Sequence, residues 1–244
     1  MFYFCNTNQT IQPFMKQNVQ DYLDFKAGKI KMPRHLEVQK ETRGNALFKN
    51  PVLEKLTRTP IWIPQTMWIV LPAAMFYYAF TEVNLTVPVI LTTAFLGFLT
   101  WSLIEYLVHR FVYHTETEYD WLYNIQNSGH SIHHRYPKDP TRLAMPPVPA
   151  LILSAGFFGL FRLVMGEFAF AFWPGFMLGY NAYISFHYAQ HVLKIPKFPP
   201  LRRLWKQHIV HHYKNPYVAY GVSTNLWDFV FGTMARNEKG EIIR

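Results

Sequence analysis

Four apolar blocks, each close to the length that crosses a lipid bilayer, constrain the fold of this chain more than any other feature. They cover residues 62–80, 85–108, 148–164 and 168–186. A membrane-spanning α-helix needs about 20 predominantly apolar residues. Half of all residues are apolar, yet the mean hydropathy is only -0.03, so the apolar residues are concentrated in blocks between polar segments. This segregation predicts an all-α integral membrane protein with four transmembrane helices; a soluble protein with buried helices is the alternative.

The short connections between the blocks predict how these helices are arranged. Residues 81–84 alone separate the first two blocks, and residues 165–167 the last two. Connections this short join antiparallel neighbours, so each pair is predicted to form a tight hairpin that returns to its starting side. Every long polar segment then lies on one side of the membrane.

Basic residues agree with this topology. Of the 24 lysines and arginines, ten lie in residues 1–61, four in 109–147 and nine in 187–244, and only Arg162 lies beside a hairpin turn. Segments rich in lysine and arginine stay in the cytosol, so the polar side is predicted to be cytosolic. The formal charge of +9 therefore fits a membrane protein, and the basic residues form no stripe or motif typical of nucleic-acid binding.

Histidines form the second pattern. Ten of the eleven lie in four clusters, and only His35 stands apart. The clusters are HRFVYH (His109, His114), HSIHH (His130, His133, His134), HYAQH (His187, His191) and HIVHH (His208, His211, His212). Residues three or four apart share a helix face, which suits chelation. HRFVYH has a five-residue step, so the helix of the second block is predicted to end or distort there.

The topology brings these clusters together. His109 directly follows the second block, His187 follows the fourth, and the other two clusters lie in the polar segments. All ten histidines can therefore meet at one membrane face, in a histidine-rich cytosolic cap. Ten neutral imidazoles exceed what one tetrahedral or octahedral ion uses, so two metal ions are predicted.

The ligand type leaves the element and the role open at this point. Imidazole binds iron, copper, nickel and zinc, and the single cysteine, Cys5, excludes a zinc-ribbon thiolate site. A proton relay, a zinc store and a non-enzymatic membrane metal-binding or transport protein are the alternatives. Histidine storage tracts are usually of low complexity, however, and apart from Glu105 the apolar blocks offer little to line a polar pathway.

Three further segments resemble one family. They are LFKNPVLEKLTRTPIW before the first block, DPTRLAMPPVPA before the third, and HIVHHYKNPYVAYGVSTNLWDFVFGT near the end. With the histidine clusters, they make the chain resemble the fatty acid hydroxylase superfamily, in particular the sphingolipid fatty acid 2-hydroxylases, over about residues 47–233. The histidine pattern alone is shared with sterol oxidases and carotenoid hydroxylases.

The resemblance implies a cytosolic N-terminal arm, residues 1–46, and a membrane-embedded hydroxylase domain, residues 47–244. It also implies that two iron ions, replaceable by zinc in purified protein, are held by His109, His114, His130, His133, His134, His187, His191, His208, His211 and His212. The implied reaction uses O2 to hydroxylate C2 of a fatty-acyl chain, free or in ceramide or another sphingolipid; a sterol or carotenoid oxidase is the alternative. The implied location is the endoplasmic reticulum or a bacterial inner membrane.

Two differences from the family pattern carry further expectations. Relatives often contain a fused cytochrome b5-like haem domain, for which the residues before the first block are too few, so a separate donor such as cytochrome b5 or a ferredoxin with its reductase is expected. Relatives also tend to have Tyr-Asp where this chain has Tyr183-Ile184, so one carboxylate that orients a ligand is missing.

Three side chains are candidates for orienting the metal ligands. Glu105 lies one turn before His109 within an apolar block, where a carboxylate is costly, although water access at the interface is the alternative. Asp228 is the second candidate, because metal-bound imidazoles commonly donate to a carboxylate, and a helix-end acid is the alternative. Tyr183, beside the missing carboxylate, is the third.

Overall fold

The computed structural model describes residues 11–39 and 46–243. Within these ranges the protein contains α-helices, short helical turns and isolated bridges but no β-strand, so the all-α prediction is confirmed there. The parts of the predicted arm at residues 1–10 and 40–45 lie outside the described residues. The helices are α1 (Ile11–Lys26), α2 (Pro51–Leu56), α3 (Trp62–Thr81), α4 (Val87–Val108), α5 (Asp120–Gln126), α6 (Ile132–Arg135), α7 (Pro147–Met165), α8 (Ala169–Val192), α9 (Pro199–Tyr213) and α10 (Leu226–Val230).

Helices α3, α4, α7 and α8 form where the four apolar blocks predict them. Two stretches, Val87–Tyr113 and Pro140–Val192, are long and apolar enough to cross a membrane, and the second contains both α7 and α8. Only 11% of the most apolar window in each stretch is buried, unlike the core helices of a soluble protein. Outward-facing side chains such as Leu163, which is 88% exposed, instead present an apolar surface typical of a membrane protein.

Local sequence determines where these helices begin and end. Pro88 and Pro147 lie in the first turns of α4 and α7, where the missing N–H costs no helical hydrogen bond. Gly166 ends α7 with a φ of 57°, which a glycine adopts without a steric penalty. Helix α8 continues to Val192, beyond the predicted block, and therefore carries His187 and His191 on a rigid element.

Helix α8 is the centre of the helical bundle and packs against α3, α4 and α7. The contact with α4 is backbone to backbone: a Cβ atom on Gly175 would lie 2.0 Å from the carbonyl oxygen of Ala94, and one on Gly97 would lie 2.2 Å from that of Phe172. Small residues permit this approach between membrane helices. The contact fixes the end of α4, which carries His109, relative to the end of α8.

The segments that carry the family resemblance also contact one another on the polar side of the bundle. Arg58 donates to Asp139 at 3.0 Å and to Glu54 at 2.9 Å. Arg142 also donates to Glu54. These half-buried ion pairs join the segment before α3 to the segment before α7, and so position the backbone that leads into the bundle.

Candidate metal centre

The ten clustered histidines divide into two groups of five at the polar end of α4 and α8. In each group, one ring nitrogen from every member lies within 4.8 Å of the others. The first group comprises His109, His114, His130, His134 and His211. The second group comprises His133, His187, His191, His208 and His212. All the histidine candidates are therefore brought together, and His35 belongs to neither group.

In the first group the Nε2 atoms converge. The Nε2 atom of His130 lies 3.0 Å from that of His109 and 2.9 Å from those of His114 and His134. The Nε2 atom of His211 lies 3.1 Å from that of His134. An imidazole nitrogen carries one proton or one lone pair, so hydrogen bonding cannot satisfy three such neighbours of His130. Lone pairs directed at a common point fit a bound cation.

The second group has the same arrangement. The Nε2 atom of His133 lies 2.9 Å from that of His187 and 3.2 Å from that of His212. The Nε2 atoms of His191 and His208 lie 2.8 Å apart. Four of these five histidines are buried and His191 is half-buried, and five imidazoles without a carboxylate form a donor set that suits a transition metal.

The five-residue step of HRFVYH is accommodated by a π-helical turn, His109–Tyr113, directly after α4. The backbone N–H of His114 donates to the carbonyl oxygen of His109 at 3.2 Å, a bond between residues five apart. Such π turns bring residues five apart onto one face and recur at functional sites. The predicted distortion of the helix is confirmed, and both rings reach the first group.

Two of the four clusters supply both groups. In HSIHH, His134 joins the first group and His133 the second; in HIVHH, His211 joins the first and His212 the second. Adjacent residues on a helix point about 100° apart, so one cluster can serve two neighbouring sites. HSIHH, HYAQH and HIVHH were each expected to present their rings from one face, and of these three only HYAQH supplies a single group.

Burial keeps the imidazoles of α6 and α9 neutral. It is the main cause that lowers the pKa of His134 and His212 well below the usual value, and neighbouring imidazoles add to the effect. Burial also lowers the pKa of His211 to about 4, although its bond to the carbonyl of Val218 opposes this. Neutral imidazole is the form that binds metals, so these residues fit two metal ions.

Three histidines are oriented by backbone carbonyl oxygens. The Nδ1 atom of His109 lies 2.5 Å from the oxygen of Tyr220, and that of His211 lies 2.8 Å from the oxygen of Val218. In the second group, Nδ1 of His187 lies 3.1 Å from the oxygen of Leu143. A carbonyl oxygen only accepts, so Nδ1 carries the proton in each ring, and the lone pair of Nε2 remains available for a metal.

Two cavities lie near the centre or lead toward it. A polar cavity of about 430 Å³ reaches His114 and is lined by Lys26, Arg110 and Tyr217 among others. An apolar cavity of about 60 Å³ lies inside the helical bundle, with Leu153 and Tyr180 in its wall.

Comparison with known proteins identifies the family. The Fatty acid hydroxylase family model matches residues 94–233, which are more than half of the chain and contain all ten clustered histidines. The chain belongs to the fatty acid hydroxylase family. The resemblance stated from the sequence motifs is thereby confirmed.

Curated relatives of this hydroxylase-family chain include two enzymes named for ceramide substrates. The ceramide very long chain fatty acid hydroxylase SCS7 of Saccharomyces cerevisiae is 36% identical over 217 residues, which are 86% of this chain and 53% of the relative. The dihydroceramide fatty acyl 2-hydroxylase FAH2 of Arabidopsis thaliana is 35% identical over 193 residues, 78% of this chain and 80% of the relative. The chain thus spans about half the length of the yeast relative.

A solved structure supports the same relationship. The structure of full-length scs7p, in which only the hydroxylase domain is visible, matches with a TM-score of 0.69 and 28% identity. The match covers 96% of this chain and 96% of that chain. The fatty acid hydroxylase fold therefore extends over nearly the whole chain.

In this hydroxylase-family chain, the two carboxylate candidates do not contact histidines. Glu105 accepts hydrogen bonds from the backbone of Val222 and Ser223, and Asp228 accepts from the backbone of Tyr220 and Gly221. Both carboxylates therefore bind the loop that contacts the first group. Asp228 was expected as a possible direct partner of a histidine, and this expectation is wrong because its oxygens are engaged by the loop and by a threonine.

Tyr183, the third candidate, contacts the second group directly. Its ring stacks on the ring of His187, with the centroids 5.6 Å apart and the planes 13° apart. Ile184, where relatives tend to have aspartate, is fully buried in the apolar core of the bundle. The carbonyl oxygen of Leu143 orients His187 instead.

Three residues that the sequence did not predict orient histidines through their backbone. Leu143, Val218 and Tyr220 contribute carbonyl oxygens, which no side-chain pattern reveals. The available signal was their position, because Leu143 lies in RLAMPP and the other two lie in YVAYGVSTN, within the segments that carry the family resemblance.

Proposed function

We propose that this chain is an O2-dependent membrane hydroxylase that places a hydroxyl group at C2 of a fatty-acyl chain, free or within a ceramide-like lipid. The observation that carries this proposal is the pair of buried five-histidine groups at the polar end of an apolar helical bundle. Membership of the fatty acid hydroxylase family supports the reaction class. Relatives named as ceramide and dihydroceramide hydroxylases support the substrate class.

The first group and the second group each hold one metal ion in this proposal, and the metal is iron, on which the family typically depends. Zinc, which also prefers imidazole, can replace it in purified protein. Iron supplies the activation of O2 and the electron transfer that attack on an unactivated C–H bond requires and side chains cannot provide. The chain's own residues hold ten neutral imidazoles in place, nine of them buried and His191 half-buried.

Helices α3, α4, α7 and α8 are proposed to span the membrane as two hairpins, with the histidine groups on the cytosolic side. All four polar helix ends lie where the long basic segments begin, and 23 of the 24 lysines and arginines belong to those segments. This is the distribution that the positive-inside rule predicts. The remaining helices α1, α2, α5, α6, α9 and α10 then lie on the cytosolic side.

The apolar cavity offers the route for the acyl chain. Tyr180 lies in its wall and stacks with Tyr183, their centroids 6.0 Å apart and planes 30° apart, and Tyr183 in turn stacks on His187. An acyl chain that enters between the helices therefore approaches the second group past two tyrosine rings. The polar head of the lipid stays at the membrane interface, so the carbons next to the carbonyl lie nearest the centre and C2 is the expected target.

Electrons come, in this proposal, from a separate donor such as cytochrome b5 or a ferredoxin with its reductase. The polar cavity reaches His114 of the first group, whereas the apolar cavity includes Tyr180, which leads toward the second group. Substrate and reductant can therefore approach the centre through different cavities.

The test is expression in a host that lacks 2-hydroxy lipids, with mass spectrometry of 2-hydroxy fatty acids after hydrolysis of total lipid. The wild type is expected to form product, and His211→Ala/His212→Ala, which removes one ligand from each group, is expected to form none. His35→Ala is the matched control, because His35 lies outside both groups, and it should retain activity.

Other products would identify other functions. Oxidised sterols or carotenoids, without 2-hydroxy acids, would favour the other enzymes that share the histidine pattern. If purified, reduced iron protein gave no hydroxylated product from fatty acid, ceramide, sterol or carotenoid, a non-enzymatic membrane metal-binding or transport protein would replace the proposal.

A further inference from the structure

The loop between α9 and α10 contacts the first group at two points. The carbonyl oxygens of Val218 and Tyr220 accept hydrogen bonds from Nδ1 of His211 and His109. Ala219, between them, is fully buried and adopts a φ of 57°, in the left-handed region that residues other than glycine rarely occupy. Its N–H donates to the carbonyl oxygen of Thr233 at 2.7 Å, so the turn is held in place from the far side of α10.

Two buried carboxylates hold the next four residues of the loop. Asp228 accepts from the N–H groups of Tyr220 at 2.9 Å and Gly221 at 2.7 Å. Glu105 accepts from those of Val222 at 2.7 Å and Ser223 at 2.9 Å, and also from the Ser223 hydroxyl. Four consecutive backbone donors are therefore bound by two carboxyl groups.

A second series of hydrogen bonds joins Asp228 to α4. Asp228 accepts from the hydroxyl of Thr233 at 2.7 Å, and that hydroxyl lies 3.0 Å from the hydroxyl of Tyr106. Arg110, in the π-helical turn of the first group, donates to the Tyr106 hydroxyl at 2.8 Å. The loop, the end of α4 and α10 thus form one polar network beneath His109.

The second group has no comparable loop. Among its members His187 donates from Nδ1 to a backbone carbonyl, that of Leu143, whereas the buried Nδ1 atoms of His133, His208 and His212 have no hydrogen-bond partner within the described part of the chain. Neither Glu105 nor Asp228 contributes to the contact at Leu143. Two histidines of the first group therefore depend directly on the loop. The loop also contacts the helix that carries two ligands of the second group, because the carbonyl oxygen of Val222 accepts from the side chain of Gln190 on α8 at 3.0 Å, but within the described residues it binds no ring nitrogen of that group.

We propose that Glu105 and Asp228 are positioning residues that act chiefly on the metal affinity of the first group, through the backbone of residues 218–223. Neither carboxylate touches a histidine; each fixes the carbonyl oxygens that orient His109 and His211. The inference rests on the proposed function in one respect, that each group binds a metal ion. Loss of a partner that orients a ligand typically lowers metal affinity about 10–100-fold.

The test measures zinc affinity, by competition with a chromogenic chelator, in two backgrounds that each retain one group. His133→Ala/His187→Ala leaves three imidazoles in the second group, and His130→Ala/His134→Ala leaves three in the first, fewer than the four ligands of a structural zinc site. In the background that retains the first group, Asp228→Asn and Glu105→Gln should each weaken zinc binding about 10–100-fold. In the background that retains the second group, the same substitutions should weaken zinc binding much less, and a general loss of structure cannot produce this contrast.

Two control variants keep the outcome decisive. Gly175→Ala disturbs the contact between α4 and α8 without touching the loop, and should show no selectivity between the two backgrounds. Ser223→Ala removes only the hydroxyl that Glu105 accepts, and should cause a smaller loss in the same direction if the carboxylate variants do not fold. Equal weakening in both backgrounds, or none in either, would overturn the inference, whereas wild-type protein that binds fewer than two zinc ions would contradict the proposed metal centre itself.

Discussion

His133 and His134 are neighbours in the chain, yet their rings belong to different groups. The Nε2 atom of His133 lies 2.9 Å from that of His187, whereas the Nε2 atom of His134 lies 2.9 Å from that of His130. A step of one residue on α6 therefore selects the site that a histidine serves. The same holds on α9 for His211 and His212.

This pair predicts separable metal loss. After dialysis against a weak chelator, His133→Ala and His134→Ala should each retain about one metal ion per chain, and the double variant none, because each substitution removes a ligand from a different group. The measurement is elemental analysis of purified protein, with His35→Ala as the control that retains the wild-type content. Loss of both ions from either single variant would show that the two groups bind metal as one cooperative unit.

Features that depend on local sequence were predictable. The apolar blocks locate α3, α4, α7 and α8, because a run of that length can satisfy its backbone in a membrane only as a helix. The ten histidines were found because chelating residues repeat at helical spacing, and the distortion after Val108 was found because a five-residue step does not fit an α-helix.

Features that depend on long-range packing were not predictable. The division of HSIHH between two groups requires the approach of α6 to α9, which no spacing within the cluster encodes. The partners of His109 and His211 are backbone carbonyls, so they carry no residue-type signal. Glu105 and Asp228 were found as buried acids, but the sequence could not show that a loop stands between them and the histidines.

Acid should destabilise the metal-free protein. A buried histidine has a lower pKa in the folded chain than in the unfolded chain, where the pKa is about 6.5. Its contribution to the free energy of unfolding is complete above about pH 6.5, and is lost as the pH falls from about 6.5 toward the pKa of the folded chain. For His211 that value is about 4, because burial disfavours the charged ring. The Tm of chelator-treated protein in detergent should therefore be constant from pH 8 to 7 and fall between about pH 6.5 and 4.

For a group such as His211, the loss in the free energy of unfolding across this whole pH range is on the order of 3 kcal/mol. His211→Ala should accordingly show a shallower decline of Tm with pH. A Tm that stays flat down to about pH 4.5 would mean that the imidazoles are not held neutral in the folded state.

Filling the apolar cavity should slow the reaction on long acyl chains. Leu153 lines that cavity from α7 and is 52% exposed, so Leu153→Trp can be accommodated while its ring narrows the entrance. We expect kcat/KM for a long-chain substrate to fall about tenfold, with kcat less affected, because the lost interaction is with the bound chain. Ile152→Trp is the matched control, since Ile152 is 67% exposed and does not line the cavity, and equal loss in both variants would place the acyl route elsewhere.

The contact between α4 and α8 should tolerate no side chain. A Cβ atom on Gly175 would lie 2.0 Å from the carbonyl oxygen of Ala94, so Gly175→Ala must push two helix backbones apart. Overpacking typically lowers the free energy of unfolding by about 1–3 kcal/mol. Here the added methyl group would meet backbone atoms, which cannot move aside as a flexible side chain can. Gly156→Ala on α7 is the matched control, because no atom lies within 4 Å of the added methyl group, and alanine favours a helix by up to about 1 kcal/mol over glycine. The Tm in detergent should thus fall for Gly175→Ala and stay constant or rise for Gly156→Ala; similar values for both would show that α4 and α8 do not approach through their backbones.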